Sequence, residues 1–294
     1  MTRPRRPLDL RRLRRRLTPG GVIGAVLLVL VVTCAVAAPV LAPHDPTRQN
    51  LRSRDLPPMW MAGGDASFPL GTDQLGRDLL SRLVHGARVS LAVGVLGTLV
   101  AVVVGVSLGA VAGFYGGTVD AVISRAIDTF MAIPFILLAL AVVAVVGVQR
   151  GGDGGVTLLV TVLGISGWAD FARVARGETL MVRNLPFIES VRALGQRSFR
   201  ILTRHVLPNI AAPITVLGAL QVGTVIIAEA SLSFVGLGVQ PPGVTWGTML
   251  ADGRGYVATA WWLATFPGVA ITLTVVASVL LGDWLRDVLD TRSR

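Results

Sequence analysis

The sequence predicts an all-α membrane protein with six transmembrane helices and both termini cytoplasmic. Three observations carry this. The 294 residues are 52% apolar and only 15% charged, with a mean hydropathy of +0.68, well above that of a water-soluble domain. Apolar stretches long enough to cross roughly 30 Å of hydrocarbon recur along the chain. The arginines, which make up all 27 basic residues, fall unevenly on the two sides those stretches would define.

The elements follow in order. Residues 1–20 form a basic tail with eight arginines and one acid, Asp9. Residues 21–42 are the first span. A signal peptide is the competing reading, but the run is longer than an h-region, and Pro39 after Ala37 and Ala38 makes a poor cleavage site. Beside a span, the arginine run serves topology and anionic headgroups rather than nucleic acid. Residues 43–87 form an extracytoplasmic segment with five aspartates against five arginines. Thr72 is a plausible N-cap there, and Leu75, Leu79 and Leu83 at helical spacing predict a short amphipathic helix leading into the second span.

Residues 88–294 make a five-helix core. Its first span, 90–112, carries Gly105, Gly109 and Gly113 at four-residue intervals, a seam for close helix packing. The next, 130–148, begins after Arg125 and Asp128 and contains Pro134, which kinks it. Span 156–174 closes on Asp170, Arg173 and Arg176, spaced for ion pairs along one helix. Span 210–230 ends near Glu229, an acid within a span that either lines a path or pairs with Arg88 or Arg254. Trp246, Tyr256, Trp261 and Trp262 read as an aromatic belt before the last span, 266–285, whose Asp283 and Arg286 could pair. Nineteen arginines then lie on one side and eight on the other, which makes both termini cytoplasmic.

Several chemistries are excluded. With no lysine there is no P-loop lysine and no Schiff base. Cys34 alone makes no disulfide or metal cage, and His44, His85 and His205 are too scattered for a metal site. No span centre holds a catalytic set, so neither a catalytic residue nor a metal ligand is assigned.

The most informative stretch is 184–208. Asn184 is a cap candidate, Pro186 suits a first turn, and Phe187, Val191 and Leu194 recur at i, i+4 and i+7. Gly195 stands where a left-handed C-cap is needed, Ser198 can cap a second helix, and Pro208 ends it. A short helix with an apolar face, tethered by spans at both ends, suits a groove on a partner or a bilayer surface.

Glu189, Ala193, Gly195, Leu207 and Pro208 reproduce the spacing of the EAA loop of bacterial ABC importer permeases, with Ser190, Val191 and His205 departing from its letters. The run 204–209, Arg-His-Val-Leu-Pro-Asn, resembles the form found in the dipeptide, oligopeptide and nickel permease family, C-type subunit. Two further segments, 69–78 with 86–90, and 229–242 with Trp246 and Gly247, resemble the same family.

The resemblance implies a type I ABC importer permease fold in the bacterial cytoplasmic membrane. It makes the 184–208 loop a coupling helix for a separate ATPase: Phe187, Val191 and Leu194 as apolar contact, Glu189, Arg192 and Arg197 as rim, Ala193 and Gly195 as the turn. It implies as partners a B-type permease, two ABC ATPases or one fused pair, and an extracytoplasmic substrate-binding protein. ATP and Mg belong to the ATPases, leaving no cofactor in this chain. The segment containing Glu229, Ser231 and Ser233 looks like a shaped re-entrant turn or part of the translocation path. The implied cargo is a dipeptide or oligopeptide, with nickel, haem or another small molecule as alternatives. An ion-coupled secondary transporter fits worse, because mid-span charge is nearly absent.

Overall fold

The structure, a computed structural model, describes residues 18–146 and 153–289. The basic tail, the end of the third expected span, most of 149–155, and Arg292 and Arg294 lie outside the described residues. Within them the architecture is helical, with one isolated bridge between Thr72 and Asp78.

The helices are α1 (Pro19–Val36), α2 (Ala38–Leu41), α3 (Leu79–Tyr115), α4 (Gly117–Ala132), α5 (Phe135–Val146), α6 (Asp153–Arg183), α7 (Pro186–Ala193), α8 (Ser198–Ile201), α9 (Leu207–Phe234), α10 (Trp246–Gly253) and α11 (Trp262–Leu289). Among the described residues, five helices are long and apolar enough to cross a membrane: α1, α3, α6, the run Ser198–Phe234 and α11.

A sixth crossing exists only if α4 and α5 form one broken span, because they meet at 90°. This corrects the expected third span, 130–148. Ile133 is forced into extended backbone (φ −92°, ψ 123°) by the proline that follows it, so the helix breaks at Pro134 instead of kinking through it. The first span is likewise interrupted: α1 stops at Val36, and α2 carries Pro39. Thr18 caps α1 by accepting from the Gly21 amide at 3.2 Å.

The separate amphipathic helix expected from Thr72 does not form. Asp78 is the N-cap, accepting from the Ser81 amide at 3.0 Å, and one 37-residue helix runs from Leu79 to Tyr115. The Thr72 hydroxyl is spent elsewhere, donating to the Ser53 carbonyl and accepting from the Leu56 amide.

The α3–α6 crossing is the closest in the bundle. A β-carbon on Gly105, Gly109 or Gly113 would lie 2.3, 2.2 or 2.7 Å from the carbonyl oxygens of Trp168, Ala172 and Arg176. Lipid offers apolar groups the same environment as a helix surface does, so contact at this distance, rather than escape from water, holds the pair together.

The charges at the end of α6 join helices instead of pairing along one. Arg176 forms a fork with Asp120 on α4 (Nη2 to Oδ2 2.7 Å), Arg173 reaches Asp128 at 3.4 Å, and Asp170 is exposed. Among the described residues no ion pair joins Asp283 to Arg286. The aromatic belt is also partly core: Trp246 and Trp262 are buried, and their indole N–H groups donate to the carbonyls of Leu83 (2.9 Å) and Thr72 (3.4 Å). Trp261 stays exposed.

Candidate functional site

The run from Ser198 to Phe234 forms one 37-residue helix, and two polar constellations lie at its ends. Ser198 is the first residue of this helix instead of its cap, and Pro208 does not end it. Arg197 is the N-cap, without a side-chain bond, and a π-helical turn over Leu202–Val206 carries the chain into α9. A proline ring clashes with the carbonyl four residues back, and the wider turn relieves that clash at Pro208 while keeping the helix whole.

Before this helix stands α7, with Leu185 as N-cap in place of Asn184. It ends as the sequence predicts: Gly195 is left-handed (φ +75°), its amide donates to Arg192 O at 3.0 Å, and the Gln196 amide donates to Val191 O at 3.4 Å. These two bonds are a Schellman cap, satisfying carbonyls that would otherwise be orphaned.

The face of α7 differs from the expected stripe. Ile188, which that stripe omits, is fully buried and clusters with Phe114, Phe171, Ile201 and Val206; Val191 packs partly against the same cluster. Phe187 (41% exposed) and Leu194 (86%) point outward, beside exposed Glu189, Arg192 and Ala193. The Phe187 ring meets His205 edge-on at 6.5 Å, and the Arg192 guanidinium lies 5.8 Å from the centre of the Phe114 ring. Arg183 ties the base of the loop to α3, donating to Gly113 O at 2.7 Å, where a cation complements the end of a helix dipole. Phe199, 72% exposed on α8, adds a further outward apolar group that the sequence reading missed.

At the far end Glu229 is fully buried and pairs with neither Arg88 nor Arg254. Its Oε1 accepts from the hydroxyls of Ser233 (2.7 Å) and Thr245 (2.8 Å). Thr245 also caps α10 by a reciprocal box with Thr248, and the Trp246 amide donates to Ser90 Oγ on α3 at 3.1 Å. One polar cluster therefore joins α9, α10 and α3. Ser231 stands outside it, its hydroxyl spent on Ile227 O at 2.8 Å. A β-carbon on Gly247 would lie 2.7 Å from Ala230 Cα, so α10 sits flush on α9. The turn between them is left-handed at Gly236.

Residues 105–294 match the family described as the binding-protein-dependent transport system inner membrane component, and residues 10–58 match the N-terminal transmembrane domain of oligopeptide transport permease C. The chain belongs to the binding-protein-dependent inner membrane component family. This permease is similar to the di/tripeptide transport system permease DppC of Pseudomonas aeruginosa, 41% identical over 93% of this chain and 88% of that one. It is similar to the dipeptide permease DppC of Bacillus subtilis (36%, 92% and 81%) and to the glutathione permease GsiD of Pectobacterium atrosepticum (41%, 92% and 87%). Among solved structures, a chain of the inward-facing MetNI methionine ABC transporter superposes with a TM-score of 0.55 at 19% identity, over 69% of this permease and 93% of that chain. That likeness concerns fold alone. As a member of this family, the permease is a multi-pass component of the cytoplasmic membrane.

Proposed function

We propose that this chain is the C-type permease subunit of an ATP-driven peptide importer, forming half of the path with a B-type permease. Two ATPases, or one fused pair, hold the ATP and Mg and dock on the 184–208 loop, and an extracytoplasmic binding protein delivers the peptide to the opposite side. Both termini and the loop are then cytoplasmic, and α4 with α5 makes the sixth crossing. The observation that carries this reading is the outward set of Phe187, Leu194, Glu189 and Arg192 on a short helix at the foot of a continuous 37-residue helix. Such a set gives a partner groove an apolar contact and a charged rim, and the long helix transmits the displacement. The dipeptide and di/tripeptide names of the relatives support the cargo.

The test is uptake of labelled dipeptide, pentapeptide and nickel by cells with and without this chain. Dipeptide uptake should disappear; if only nickel uptake is lost, the cargo is wrong. Glu189→Arg and Gly195→Asp should leave the protein inserted and abolish ATP-dependent uptake, and normal uptake in both would remove the coupling role.

A further inference from the structure

A cleft of 640 Å³ opens at the Glu229 end of the long helix, between the 43–78 segment, the turn after α9 and α10. That volume is within the range of about 300–1,000 Å³ typical of small-molecule sites. Three arginines line it, and they are not equivalent. Arg77 and Arg82 are neutralised in a buried network: Arg77 Nε meets Asp73 Oδ2 at 2.6 Å, Arg82 also bonds Asp73, and both reach Asp252 Oδ2, at 3.4 and 3.1 Å. Asp73 is itself held by the amides of Leu75 and Arg77, both at 2.9 Å. This network fixes the wall, and neither arginine is left with an uncompensated charge.

Arg254 differs. Among the described residues no carboxylate faces it. Its Nη1 donates to Phe234 O at 2.9 Å, and the guanidinium lies over the Phe234 ring, 5.0 Å from its centre. These contacts hold the plane of the group and leave most of its five N–H donors unused at the cleft wall. A guanidinium fixed this way loses little entropy on engaging a planar two-oxygen acceptor. Asp252 lines the same cleft with its side chain 39% exposed, and only Oδ2 faces the arginines.

We propose that this cleft is a binding site for the free terminal carboxylate of a short peptide, received by Arg254. The inference rests on the peptide-importer reading and deepens it. It places recognition of the cargo's carboxylate end on the permease itself, where peptide is held after leaving the binding protein. The rest of the wall is mixed, with Gln49, Ser233 and Thr248 beside Pro241, Pro242 and Val244.

The test uses the assembled permease–ATPase complex in detergent without its binding protein, titrated with dialanine and with dialaninamide and followed by saturation-transfer NMR. The native complex should bind the free acid about tenfold more tightly than the amide, the size of one charge-assisted contact. Arg254→Gln should erase that preference, and Arg254→Lys should restore part of it. Equal binding of acid and amide by the native complex, no binding of either, or an undiminished preference in Arg254→Gln would each overturn the proposal. Dipeptide uptake by the complete transporter, measured in parallel, separates the readings. Uptake without an end-group preference removes this site alone, whereas no uptake removes the peptide reading and this site with it.

Discussion

The two ends of the Ser198–Phe234 helix are built on opposite principles. At the α7 end the polar and apolar groups face outward: Phe187, Leu194 and Phe199 are exposed, and a β-carbon on Gly195 would meet nothing within 4 Å. At the Glu229 end a charged side chain type is buried completely, every hydroxyl beside it is committed, and α10 lies at backbone contact. The first surface leaves apolar groups uncovered by the described residues. In the second, Glu229 Oε1 finds its donors within the chain, while Oε2 is buried without one among the described residues. One continuous helix joins the open end to the locked one, which is what the proposed coupling requires.

The largest effect that breaks the comparison lies at the locked end. Glu229→Leu removes the acceptor shared by Ser233 and Thr245 and leaves both hydroxyls without their partner, at a cost of about 3 kcal/mol. Thermal unfolding of the detergent-solubilised protein should show the loss, and Glu229→Gln, which keeps an acceptor, should lose about 1 kcal/mol. A leucine variant as stable as the native chain would show that the cluster is not what holds α10 down.

At the open end neighbouring residues should separate cleanly. Ile188→Ala empties a fully buried site and should cost about 2–4 kcal/mol, whereas Phe187→Ala, one position earlier, should stay within about 0.5 kcal/mol. Uptake should respond in reverse, with the Phe187→Ala, Leu194→Ala double variant folded but impaired in recruiting ATPase in a pull-down. If Phe187→Ala unfolds the protein, the outward face of α7 has been assigned wrongly.

What could be read in advance depended on whether the signal was local. Gly105, Gly109 and Gly113 announce a helix crossing because their spacing alone sets a face, and Gly195 announces a cap because few other residues tolerate its backbone angle. Thr72 is the cap that the sequence suggests. The choice fell to Asp78 because Ser53 and Leu56, far back in the chain, claim the Thr72 hydroxyl. Trp246 and Trp262 looked interfacial until distant carbonyls supplied acceptors for their N–H groups. Of the helix-period stripe, Phe187 and Leu194 are exposed while Val191 packs partly inward, for a related reason. On an eight-residue helix, the tertiary neighbours Phe114 and Ile201 decide which side is buried, and they chose Ile188. Glu229 was recognised as costly, but its partners were sought among arginines when hydroxyls from α9 and the α10 cap were the ones supplied.

The smallest contrast tests the hinge between the open end and the long helix. Gly195→Ala meets no steric obstacle, so its only penalty is the left-handed backbone, about 1 kcal/mol. If the cap merely terminates α7, the variant should unfold slightly earlier and transport normally once folded. If the angle at Gly195 aims α7 at its partner, ATP hydrolysis stimulated by liganded binding protein should fall more than the stability does, because easing the strain re-aims Phe187 and Leu194 together. Unchanged stimulation alongside the expected stability loss would make the glycine a cap and nothing more, leaving the exposed side chains of α7 as the whole of the coupling surface.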